Sequence, residues 1–152
     1  MSYDSEVDQS GRIEFTKEDT VLALSDGGAY TILIPSIVKR SCVRALRRRG
    51  FSGPTFYVQL FAVALFFLLK GQMEEYPRVA IDVEYEGKEA QIKEHLLNLL
   101  HRDGVGIERD QIEFRHIGKK SRAHALALDT LRGLKEASRT LTEADLLGQF
   151  RG

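Results

Sequence analysis

"RVAIDVEY", residues 78–85, decides the fold. Val79, Ile81, Val83 and Tyr85 fall on one side of an extended chain, and Ala80, Asp82 and Glu84 on the other, the two-residue period of a β-strand. Gly87 breaks the pattern, and Ile92, Leu96, Leu99 and Leu100 then repeat at helical spacing up to Gly104. "QIEFRHI", 111–117, is extended again. A strand, a helix and a second strand in succession imply a right-handed crossover between parallel neighbours.

Upstream, "TVLALS" (20–25) and "AYTILIP" (29–35) flank Asp26-Gly27-Gly28, where glycine tolerates the positive φ of a tight hairpin. Ser36 is placed to cap a helix running to about Arg49, with Ile37, Ser41, Cys42, Ala45 and Leu46 facing inward. "SGP", 52–54, opens a helix over 55–69 that is apolar on most of its circumference, so both sides need cover, from the sheet and from another helix or a second subunit. "IGKKS" turns the chain into a helix over about 122–137, and Thr142 caps a short terminal one. Residues 1–11 are polar and acidic and read as a disordered lead, and "RIEF", 12–15, as a short strand. The expectation is a single α/β domain over 12–152, with a mixed sheet, an antiparallel N-terminal hairpin, a parallel βαβ portion and helices on both faces.

Bulk composition excludes more than it names. The 152 residues carry 22 Lys plus Arg against 22 Asp plus Glu, so net charge points to no partner. The single Cys42 excludes an internal disulfide framework and a cysteine zinc cage. The start, "MSYDSEVDQSG", has no basic block or apolar run of a secretory signal. The apolar stretch 55–69 is broken by Gln59 and stopped by Lys70, short of the about 20 residues that span a bilayer. A cytoplasmic protein without a membrane partner is expected, and the apolar helix 55–69 offers a face for a homodimer.

Chemistry is expected at the carboxyl ends of the parallel strands. Asp82 interrupts an apolar strand, where a carboxylate is costly without a partner, and Glu84 shares its face. Asp26 follows the first strand of the hairpin. In "KKSRAHALALDT", 119–130, Ser121 as N-cap puts His124 at the third helical position, where the helix dipole disfavours the imidazolium. Basic residues cluster at Lys39, Arg40, Arg44, Arg47, Arg48 and Arg49, and again at Lys119, Lys120 and Arg122, suited to phosphate neutralisation. The second cluster has only Gly118 and lacks the glycine spacing of a P-loop.

Taken in order, "SDGG" at a strand end, "VAID" on a later strand and "RAHALAL" opening a late helix resemble the motifs of the ribonuclease H-like nucleases, including the RuvC-type resolvases. The resemblance covers roughly residues 20–137. It implies a metal-dependent nuclease acting on structured DNA or an RNA-containing duplex, with Mg²⁺ or Mn²⁺ held by Asp26, Asp82 and His124 and with Glu84 in reserve. Those three would be the catalytic set, Asp82 as bridging ligand and His124 as terminal ligand or proton carrier. Arg47, Arg48, Arg49, Lys119, Lys120 and Arg122 would contact nucleic acid. His124 stands where the family pattern has aspartate, the opening meander is one strand short, and neither helix between 36 and 70 supplies the family's helical glutamate. The alternative is a catalytically degenerate module of the same fold that binds nucleic acid or assembles with protein.

Overall fold

The computed structural model describes residues 5–25, 28–73 and 78–150. From Ser5 onward the expected lead is ordered: β1 (Ser5–Ser10) is a central strand. β2 (Thr20–Ser25) and β3 (Ala29–Ile34) form the expected hairpin, and β1 pairs antiparallel with β2 to make a three-stranded meander. β4 (Val79–Asp82) and β5 (Ile112–Arg115) are parallel and joined through α3 (Glu89–Arg102), as the strand-helix-strand succession requires. β4 also lies parallel to β1. A two-residue strand, β6 (Arg139–Thr140), adds to β3 and completes a six-stranded sheet of order β5-β4-β1-β2-β3-β6.

Alternation along β2 sorts the two faces. Leu22 and Leu24 enter the main core with α1 (Ser36–Arg48), α2 (Pro54–Leu69) and α3. Val21 and Ala23 pack instead against Ala127 of α4 (Arg122–Leu131). α5 (Glu143–Leu147) closes the main side against α1 and α2, its N-terminus held by the reciprocal Thr142–Asp145 capping box. α4 stops six residues short of the expected 137, because Gly133 turns left-handed at φ 80° and Leu134 N donates back to Asp129 O.

α2 meets its need for cover inside the chain. Twelve of its residues, from Phe56 to Leu69, are buried against the sheet, α3 and α5, so the apolar face that suggested a homodimer is already occupied. Among the described residues no helix is long and apolar enough to cross a membrane.

The segment between β1 and β2 is a folded loop, and "RIEF" within it is a turn rather than a strand. α1 holds this loop. Lys39, expected in a basic cluster suited to phosphate, is fully buried and donates to Phe15 O at 2.8 Å, Thr20 Oγ1 at 2.8 Å and Arg12 O at 3.3 Å. Burial lowers its pKa to about 8, although Glu18, Asp19 and Glu14 oppose the shift. Ile37, expected to face inward, is 66 % exposed, so the helix is rotated to bury the lysine. Asp19 caps the same helix from outside, accepting from Ser36 N at 2.7 Å. Cys42 is buried in the core, which pushes its thiol up to about 12 and leaves it unreactive.

The loop closes where Gly11, at φ 74°, passes Asp19 O so tightly that a Cβ there would sit 2.1 Å from that oxygen. Gly11→Ala therefore demands both a strained backbone and a displaced carbonyl, and should cost about 2–4 kcal/mol. Gly50 has φ 97° with nothing within 4 Å, so Gly50→Ala should cost only about 1 kcal/mol. Thermal melts of the two variants check the contrast.

Candidate metal centre

Parallel pairing sets the site. Val7 lies opposite Ile81 in the β1–β4 ladder, and one residue further along each strand stand Asp8 and Asp82. Asp8 is opposite Ala23 in the neighbouring ladder, so it points to the α4 side of the sheet. Glu84 follows just beyond the end of β4. Carboxylate oxygens of Asp8, Asp82 and Glu84 all lie within 4.8 Å of one another. Two of these acids were legible in the sequence, whereas Asp8 was hidden in the supposed disordered lead.

His124 arrives from the other side. Ser121 is the N-cap of α4, its Oγ accepting from His124 N at 3.0 Å, as expected. The imidazole Nδ1 then sits 2.8 Å from Asp8 Oδ2, so the histidine is tied to the carboxylate cluster through Asp8 rather than Asp82. About a third of its side chain remains exposed, while Asp8 is 6 % exposed. Asp82 Oδ1 accepts from Ile117 N at 2.8 Å, which anchors the loop leading to Lys119 and Lys120 beside the cluster.

Asp26 lies outside the described residues. β2, the strand before it, runs opposite to β1 and its last residue, Ser25, pairs with Glu6, so β2 ends toward the N-terminal ends of β1 and β4 rather than the end that carries Asp82. The first-strand aspartate that reaches the cluster is Asp8. The basic residues divide as well. Lys119, Lys120 and Arg122 are exposed at the start of α4, on the acid cluster's side of the sheet. Arg47, Arg48 and Arg49 are exposed at the end of α1, in the helix layer on the opposite side.

Three carboxyl groups at this spacing cannot all ionise cheaply. Burial, together with the neighbouring carboxyls of Asp82 and Asp8, raises the Glu84 pKa to about 9. Such a group holds its proton at neutral pH. Hard oxygen donors of this kind suit Mg²⁺ or Mn²⁺.

Glu84 is held by a network that sequence patterning did not show. Arg12 Nη2 donates to Glu84 O at 2.9 Å, and Gln9 Nε2 lies 3.5 Å from Glu84 Oε2. Tyr85 packs edge-on against Phe61 and donates to Glu14 Oε1 at 2.9 Å. Burial alone would raise Glu14, yet hydrogen bonds from Arg12, its own backbone and Tyr85 carry it below the ordinary carboxyl value. Neither a protein-family model, nor a curated protein, nor a solved structure matches this chain.

A pH dependence follows. In the folded, metal-free chain Glu84 keeps its proton up to about 9, whereas the unfolded carboxyl releases it near 4.5. Between those values the folded state binds more protons, so stability should fall as pH rises. Denaturant melts in chelator across that window should show the decline, and Glu84→Gln should flatten it.

Proposed function

We propose that this chain is a divalent-metal-dependent phosphodiesterase of ribonuclease H-like type, acting on structured DNA or an RNA-containing duplex. One observation carries the reading: Asp8 from β1, Asp82 from the end of β4 and Glu84 just beyond it bring carboxylate oxygens within 4.8 Å of one another. The completed meander supports it, because β1 supplies the strand that the resemblance lacked. So does the order of ligands along the chain, an acid on the first strand, an acid on the strand after the first helices and a side chain from a late helix. Glu84 offers a third carboxylate from the exit of β4 in place of a helical glutamate.

Divalent ions held there would activate water and stabilise the leaving oxygen of a phosphodiester. The chain's own residues do the rest. Asp8 and Asp82 approach from rigid strands and set the position of the charge. Glu84 would release its proton to solvent on taking a ligand's place. His124, with Nδ1 occupied by Asp8, has Nε2 for proton transfer with water or the leaving group. Lys119, Lys120 and Arg122 neutralise phosphates beside the site.

With Mn²⁺ or Mg²⁺ at about 100 times its Kd the melting point should rise by roughly 5–10 °C. Asp8→Asn and Asp82→Asn should each abolish that rise and lower metal-dependent cleavage of a branched DNA or an RNA–DNA duplex by about 10²-fold or more. Nucleic-acid binding with a steep salt dependence but no metal effect would instead assign the chain as a degenerate binding module.

A further inference from the structure

Of the three acids, Glu84 alone lacks a strand beneath it. Asp8 lies within β1 and Asp82 is the last residue of β4. Beyond Asp82 the backbone keeps one more sheet-like bond, from Val83 N to Arg115 O at 3.1 Å, and then leaves the ladder. The backbone at Glu84 needs a connection from outside the ladder, beside the 3.5 Å contact of Gln9 Nε2 with its side chain.

Arg12 makes that connection. Its guanidinium is itself fixed on three sides: Nε donates to Glu14 Oε2 at 2.9 Å, Nη2 donates to Glu84 O at 2.9 Å, and the group lies 4.7 Å from the centroid of the Tyr85 ring. Nη1 faces the Glu84 carboxylate at 3.9 Å. The backbone of Arg12 is pinned in turn, since its carbonyl accepts from the buried Lys39 and the preceding Gly11 is locked against Asp19. The planar fork bonds the main chain of Glu84 while it sets a second charged nitrogen 3.9 Å from the side chain, which a lysine's single ammonium cannot do.

We propose that Arg12 is a positioning residue for the metal centre, holding the Glu84 carboxylate in the cluster through its backbone and side chain together. It acts on the ion only through Glu84 and touches neither ion nor substrate. This rests on Asp8, Asp82 and Glu84 forming a metal site. Supports of this kind typically contribute 10–100-fold to metal affinity.

The test is titration of Mn²⁺ into the full chain by calorimetry, with folding of every variant checked by circular dichroism. Arg12→Ala should weaken Mn²⁺ binding about 10–100-fold. Arg12→Lys, which keeps the charge and most of the packing, should weaken it several-fold and keeps the test open if the alanine variant fails to fold. In a Glu84→Gln background the Arg12 substitutions should cause no further loss, because the group they position is gone. A variant with a lowered melting point but wild-type Mn²⁺ affinity would overturn the proposal and leave the metal site standing, as would a loss that persists unchanged with Glu84→Gln. Absence of Mn²⁺ binding by the wild-type chain would overturn the metal site and this proposal with it.

Discussion

The candidate site depends on the parallel pairing of β1 with β4. That ladder runs at the register Val7–Ile81, and because side chains alternate along a strand, the next residue of each points to the face that α4 covers. Asp8 and Asp82 are therefore neighbours by construction. A one-residue slip of β4 against β1 would turn Asp82 into the main core, where Val7 and Ile81 now lie almost wholly buried, and part it from Asp8. The heavy apolar packing of α2 and α3 beneath that face fixes the register and, through it, the distance between the acids.

The rest of the site is attached to this pair by short-range contacts. α4 brings His124 to Asp8, and its N-terminal loop is bonded to Asp82 through Ile117 N. On the other flank, the loop after β1 is fastened to α1 through Lys39 and Asp19, and it delivers Arg12 to Glu84. A buried lysine is costly unless its donors are met, and here all its contacts are to oxygens of the loop and of Thr20. Its role is to hold backbone, not to attract phosphate. The acid-cluster face and the apolar core thus share one sheet, and the same strands serve both.

Strong periodicity made some elements legible and weak periodicity hid others. β4, α3 and β5 could be read because Ile81, Leu96, Leu100 and Ile112 follow the periods of half-buried elements. β1 could not, since Val7 is the one apolar residue in Ser5–Ser10, and its burial comes from its central place in the sheet. The available signal was smaller: Val7-Asp8 repeats the apolar–aspartate pair of Ile81-Asp82, and Gly11 follows close behind. Lys39 shares its stretch of sequence with five arginines suited to phosphate, and nothing in that pattern marks it as the one basic side chain that is buried. α4 ends before the expected 137 because Gly133 is the stop, and Leu134 beyond it is exposed. The arginine fork on Glu84 had no signature, since it depends on where a loop crosses a strand end.

The central claim, that Asp8, Asp82 and Glu84 together form a divalent-cation site, is tested most directly by anomalous diffraction from crystals soaked in Mn²⁺. A manganese peak roughly 2.0–2.6 Å from carboxylate oxygens of Asp8 and Asp82, with Glu84 alongside, is the expected result. Full soaking with no peak among these three side chains, or a peak only elsewhere on the surface, would contradict it.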